Sequence, residues 1–268
     1  MVKFKVDVDN IQIDRFLKTK LNIGMRQIKR LFKDKRIFIN NKPCNKRIHI
    51  LKKGDIVTIK NYSQEVDIDL DLKIIKGNDQ IFAVFKPPNF HTVSGKSAVN
   101  MEYILSERIN KRIYLLNRLD YLTSGLILFC FSDEVVKNYK EMQDRGLIEK
   151  RYLALVNGKI SDKVLIKNFI DDKKRKKVRT FDYYDKDKLR YTYIIPKKYF
   201  EKHNHTLVEA RIFKGKRHQI RAHLSYIGHP IVGDPLYGNR EICSTRMFLH
   251  HYMVISPDFV LKIDKNFG

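Results

Sequence analysis

Two short stretches of this 268-residue chain concentrate side chains that can do chemistry. In the first, LNRLDYLTSGLILF from Leu116 to Phe129, Arg118 and Asp120 flank a leucine, Thr-Ser-Gly follows, and a strongly apolar strand comes next. This order places an ionisable carboxylate in a loop just ahead of a buried strand, where a scaffold can hold it rigidly. A carboxylate so held can attack covalently, or it can stabilise charge and move a proton. On spacing alone, a structural Arg118–Asp120 pair beside a turn reads equally well. The second stretch, KGKRHQIRAHLSYIGHPIVGDPLYG, packs Lys214, Lys216, Arg217, His218, Gln219 and Arg221 into eight positions. That is denser in polar donors than a core element tolerates. Gly228, Pro230, Gly233, Pro235 and Gly238 then fix turns and allow close backbone approach. A basic helix followed by a Pro/Gly loop explains each half, but not their adjacency.

Metal ligation is not expected. His218, His223 and His229 lie close in sequence and His250 adjoins His251, but no His-Glu-x-x-His or other carboxylate-supported set appears. His218 and His223 are five apart and do not share a helix face. Lysine and arginine number 54 against 30 acids, a formal charge of +24. Such an excess suits a polyanion, and nucleic acid is the leading partner through phosphate neutralisation and counterion release. The three cysteines, Cys44, Cys130 and Cys243, are far apart and form no disulfide framework. The opening MVKFKVDVDN lacks the apolar core of a signal peptide, and no stretch approaches the length of a membrane span. A reducing cytoplasm is the expected compartment, and a monomer the expected state.

Two domains are expected to position these stretches: residues 1–60, a linker over 61–72, and a larger unit over 73–268. Ile11 to Lys60 reads as helix, helix, strand, turn and strand. Arg26, Lys29, Arg30 and Lys33 recur at helical neighbour spacing, with Ile28, Leu31 and Phe32 opposite, so one face is basic and the other packs. Ile37–Ile39 and Ile56–Ile59 read as strands, with Lys53-Gly54-Asp55 as a turn between them. The acidic NYSQEVDIDLDL loses periodicity and reads as the linker. Beyond it, apolar runs at Ile81–Phe85, Leu126–Phe131, Tyr152–Val156 and Thr206–Phe213 alternate with polar or helical segments. They predict an α+β domain on a mixed, mainly antiparallel sheet flanked by helices and loops. Ser132 or Asp133 can cap a helix carrying Val135, Val136, Tyr139 and Met142, which Gly146 can end. The basic run around Lys173 to Arg179 reads as an exposed loop or hairpin tip.

The first domain, through "IDRFLKTKL…RQIKRLFKDKRIFINNK…LKKGDIVTI", resembles the small α/β RNA-binding domain of a ribosomal small-subunit protein. It departs at Lys35, where that pattern usually has glycine. The larger domain resembles the RluA-type pseudouridine synthases, which isomerise uridines in ribosomal or transfer RNA. The resemblance rests on "RLDYLTSG" and "GKRHQIRAHLSYIGHPIVGDPLYG", supported by "FAVFKPPNFHTV", "EKRYLALVNG" and "RMFLHHYMVISP". It implies catalysis by Asp120, stacking of the substrate base on Tyr152, and a basic partner for the carboxylate in Lys216. Arg118 would hold the everted nucleotide or fill its gap, and His218, Gln219 and Arg221 would frame the pocket or bind phosphate. Asn117, Lys214 and Lys216 stand where the family commonly has histidine, threonine and arginine. The implied reaction exchanges bonds within one nucleotide, so no redox or energy cofactor is expected. The rival readings are a non-catalytic RNA-binding or ribosome-assembly factor on the same fold, and a metal-dependent nuclease, for which clustered carboxylates are missing.

Overall fold

The computed structural model of the chain describes residues 2–21, 25–60, 72–93, 100–173, 177–238 and 246–264, without the side chains of Arg26, Gln27 and Arg30. Of the expected linker, all but Leu72 lies outside these residues. The chain divides into two compact units, Met1–Asp71 with Val93–Tyr103, and Leu72–Thr92 with Ile104–Gly268.

In the first unit, the helices Ile13–Leu21 and Met25–Lys33 share a core with a small antiparallel sheet. Ile28, Leu31 and Phe32 are buried while Lys29 and Lys33 are exposed, as three- and four-residue spacing on a helix dictates. The sheet runs Val2–Lys5, Ile56–Ile59, Ile37–Ile39, Lys42–Pro43. Its first strand adds to the sequence reading. The alternation of MVKFK is that of an edge strand, with Val2 and Phe4 half-buried and Lys3 and Lys5 exposed. Lys35 ends the second helix with φ 52°, and Arg36 N–H then reaches Leu31 O at 3.0 Å. This left-handed position favours glycine, and a lysine adopts it at a cost of ~1–2 kcal/mol.

The second unit is built on a ten-stranded sheet. Its main path runs Val164–Ile166, Thr192–Phe200, His205–Ile212, Glu149–Asn157, Leu249–Ile255, Ser124–Cys130, Phe82–Lys86, Ile75–Lys76. All its pairings are antiparallel except that of Ser124–Cys130 with Leu249–Ile255, where Ser124 faces His250 and Gly125 faces His251. Ser124–Cys130 is buried along its whole length, which explains why it reads as an uninterrupted apolar run rather than an alternation. Ser132 caps the helix Asp133–Asp144 by accepting from Glu134 N–H, and Gly146 closes it with φ 72°. Val135 and Tyr139 of that helix share a core with Leu126 and Leu128. Gly125 has φ 124°, and a Cβ there would lie 2.2 Å from His251 O. The glycine of Thr-Ser-Gly is therefore required by the close approach of two strands. Among the described residues, no helix is long and apolar enough to cross a membrane.

Candidate active site

Asp120 sits in the loop between Tyr114–Leu115 and Ser124–Cys130, and several contacts leave that loop little freedom. Thr123 N–H donates to Asp120 O at 3.1 Å, closing a turn around the carboxylate. Thr92 Oγ1 donates to Leu119 O at 2.9 Å and accepts from Leu119 N–H at 3.2 Å. Asn117 inserts its amide into the adjacent strand, donating to Leu126 O at 3.0 Å and accepting from Leu128 N–H at 2.8 Å. The asparagine that replaces the family's common histidine is thus part of the loop's backbone pairing. Beneath the loop, Lys86 is fully buried and donates to Pro87 O at 2.8 Å, Phe90 O at 2.9 Å and Tyr121 O at 3.3 Å. All three ammonium protons are used. Burial pushes its pKa down to about 7, against the pull of Asp120.

The carboxylate opens on a cleft of ≈ 500 Å³ that is lined, among others, by Arg118, Asp120, Lys150, Tyr152, His218 and Arg221. A cleft of this size admits one nucleotide. Arg221 Nη1 donates to Asp120 Oδ2 at 2.8 Å, while its Nε and Nη2 hold Asp234 at 2.7 and 2.9 Å. Burial alone would depress the guanidinium, but the hydrogen bonds and charge of Asp234, with Asp120 behind them, override it and keep it protonated. Asp234 and Arg221 are almost fully buried, whereas the Asp120 side chain keeps 24% exposure. The result is a planar cation fixed by one acid and presented to a second acid that faces solvent.

Arg221, not Lys216, is therefore the cation at Asp120. Lys216 lines the cleft, but its ammonium donates to Ile170 O at 2.6 Å, lies 3.4 Å from Asp185 Oδ2 and sits over the Phe169 ring at 4.2 Å. Those three attractions draw it to the hairpin of Asn168–Asp171 and Arg179–Tyr184 and away from the carboxylate. Gln219 is likewise committed to the protein. It donates to Arg190 O at 2.7 Å and to Thr192 Oγ1 at 3.1 Å, and it accepts from Lys216 N–H at 2.9 Å. Arg221 commits three of its five N–H donors to the two acids. Arg118 is exposed at the cleft.

His218 precedes the helix Gln219–Tyr226 with a left-handed φ of 57°, and its Nε2 stands 3.7 Å from Asp120 Oδ2. Val178 N–H donates to Tyr237 Oη at 2.9 Å, and Tyr237 Oη lies 3.1 Å from His218 Nδ1. The hydroxyl thus holds the imidazole through Nδ1 and leaves Nε2 on the side of Asp120. Burial lowers the His218 pKa despite Asp120, and nearby Arg221 and Arg217 lower it further. Tyr152 is buried at the cleft wall and stacks on His251, with centroids 4.5 Å apart at 19°. Burial, then the charges of Tyr139 and Asp120, push its phenol well above the usual range.

The structure thus gathers Asp120, Arg118, Tyr152, Lys216, His218, Gln219 and Arg221 around one cleft. Asp234, Tyr237, Lys86 and Lys150 were not singled out by sequence. The first two lay in plain view in the GDPLYG loop, and Lys86 in the Lys-Pro strand, but their partners are distant in the chain. Lys29 and Lys33 belong to the first unit, and the side chains of Arg26 and Arg30 lie outside the described residues.

Residues 80–226 match the family model for RNA pseudouridylate synthase. A "Ribosomal large subunit pseudouridine synthase C" from Buchnera aphidicola subsp. Baizongia pistaciae is 30% identical, over 86% of this chain and 78% of its own. A "tRNA pseudouridine synthase C" from Haemophilus ducreyi is 28% identical, over 68% of this chain and 83% of its own. In fold, the chain is similar to human RNA Pseudouridylate Synthase Domain Containing 1, with a TM-score of 0.57 at 20% identity, covering 73% of this chain and 83% of that one. The chain belongs to the RNA pseudouridylate synthase family and is a pseudouridine synthase.

Proposed function

We propose that this chain isomerises specific uridines in ribosomal RNA, with Asp120 as the residue that acts on the nucleotide. The observation that carries the reading is the Asp120 carboxylate, open to a nucleotide-sized cleft while a buried Arg221 keeps it paired. Ribosomal RNA is favoured over transfer RNA by the name of the relative at 30% identity, the transfer-RNA relative being 28% identical over a smaller share of this chain.

The reaction breaks the bond between the sugar's anomeric carbon and N1 of uracil. The electron pair leaves with the base, the base turns, and C5 bonds to the anomeric carbon as its proton departs. Asp120 acts either by attacking the sugar or by stabilising charge and moving that proton. The target base must first leave its stack, at a cost of a few kcal/mol, of which stacking against Tyr152 would return about 1–3 kcal/mol. Arg118, exposed beside the loop, would hold the everted nucleotide or fill its gap. His218 would present Nε2 to the sugar or the carboxylate.

The first unit would act as the small ribosomal-protein-like RNA-binding domain, with Lys29, Lys33 and the neighbouring Arg26 and Arg30 on phosphates. The enzyme would work as a monomer in the reducing cytoplasm, where buried Cys44 and Cys130 stay thiols. The test is conversion by the purified protein of unmodified ribosomal RNA, in the presence of a chelator and without nucleotide, followed by mapping of pseudouridines. Conversion at one or a few uridines is expected. Tight, salt-sensitive binding with no conversion of ribosomal or transfer RNA would leave the assembly-factor reading in its place.

A further inference from the structure

Lys150 is a charged side chain that the site as described does not use. It is 6% exposed and lines the same cleft as Asp120 and Tyr152. Among the described residues its ammonium has no hydrogen bond or ion pair. A largely buried lysine whose ammonium meets no protein acceptor is costly to keep charged, and a ligand in the cleft can supply the acceptor. Burial lowers its pKa to about 8, so at pH 7 it still carries its proton.

Strand register places this charge. Gly125 and Tyr152 are both paired with His251, and Ser124 and Leu153 with His250. Asp120, whose carbonyl is bonded to Thr123 N–H, therefore lies at the Leu153 end. Lys150 is two residues beyond Tyr152 in the other direction, roughly 6.6 Å along the strand. It is paired with Val254 and Ile212, and the cleft there is lined by Leu115, Leu116 and Ile212. These apolar neighbours offer the ammonium no acceptor of their own and leave it as a donor in the cleft.

We infer that Lys150 donates a hydrogen bond to O4 of the target uracil. This rests on the uridine-isomerising reading above. With the anomeric carbon at Asp120 and the ring against Tyr152, the edge opposite the glycosidic nitrogen points toward Lys150. An ammonium only donates. It suits the O4 acceptor of uracil and opposes the amino group that cytosine carries at that position. When the bond to N1 breaks, the electron pair on the departing base spreads to O2 and O4. The same contact then stabilises the leaving anion, with no proton transferred.

The test is a cycle of two proteins and two RNAs, wild type and Lys150→Met against a target uridine and its 4-thio analogue, whose sulfur is a weaker acceptor. The readout is the single-turnover rate at saturating protein. Lys150→Met should slow the uridine RNA on the order of 10- to 100-fold, the worth of a hydrogen bond to a charged group. The 4-thio substitution should slow the wild type and leave Lys150→Met nearly unchanged. Lys150→Met should also melt at a higher temperature, since an unpaired charge has gone, whereas a merely structural lysine would lower it. Should Lys150→Met fail to fold, Lys150→Gln runs the same cycle with an intermediate rate expected. An equal thio effect in both proteins, or an unchanged rate on uridine, would overturn the assignment. Failure of the wild type to convert uridine would instead refute the reading on which it rests.

Discussion

Two buried lysines near the cleft are held on opposite terms. Beneath the Asp120 loop, Lys86 is completely enclosed and gives all three protons to backbone carbonyls. Lining the cleft, Lys150 is 6% exposed and has no protein acceptor among the described residues. Burial depresses both, Lys86 to about 7 and Lys150 to about 8. A shifted pKa therefore does not tell the two apart; the partners do. A lysine with three acceptors is part of the scaffold, and one with none is waiting for a ligand. Arg221 belongs with Lys86 in this respect, since Asp120 and Asp234 take up three of its donors.

The comparison can be broken first at Arg221. Replacing it by methionine leaves Asp234 buried without a counter-charge, and unfolding by denaturant should show a loss of about 3–5 kcal/mol. Lys86→Met should cost less, about 1–3 kcal/mol, because three carbonyls lose their donor, and the loosened loop should also lower turnover. Thermal melts of Lys86→Met and Lys150→Met measured together should move in opposite directions. Movement in the same direction would erase the distinction between scaffold and ligand lysine.

The smallest effect is on pH dependence. Both lysines have folded pKa values below the unfolded value of 10.5, so between pH 7 and 9.5 the unfolded chain binds more protons. Stability should rise with pH across that window, by at most ~1.4 kcal/mol per pH unit for each lysine. Each methionine variant should flatten the rise, as read from chemical denaturation at fixed salt. Identical slopes in all three proteins would contradict the buried ammonium ions.

The position of the Asp120 loop was legible because its residues are contiguous. Arg118, Asp120 and Gly125 lie within eight residues of one another, and an apolar strand follows them directly. The amphipathic helix Met25–Lys33 and the capped helix Asp133–Asp144 were legible for the same reason, each being a local pattern. The cation at Asp120 was not. Lys216 and Arg221 stand five residues apart in one basic segment, and the left-handed turn at His218 lies between them. What separates them is remote: Asp185 and Ile170 draw Lys216 away, and Asp234 fixes Arg221. Lys150 escaped notice because burial without a partner is a property of three dimensions. The edge strand Val2–Lys5 was missed because half of its alternating residues are lysines turned outward.

The most direct test of the account follows carbon 5 of the target base. RNA carrying tritium at that carbon should lose it to solvent when wild-type protein forms the new carbon–carbon bond. Asp120→Asn should release none above background while binding the same RNA within a few-fold. Tritium release by Asp120→Asn at a rate near that of the wild type would contradict the central role given to this carboxylate.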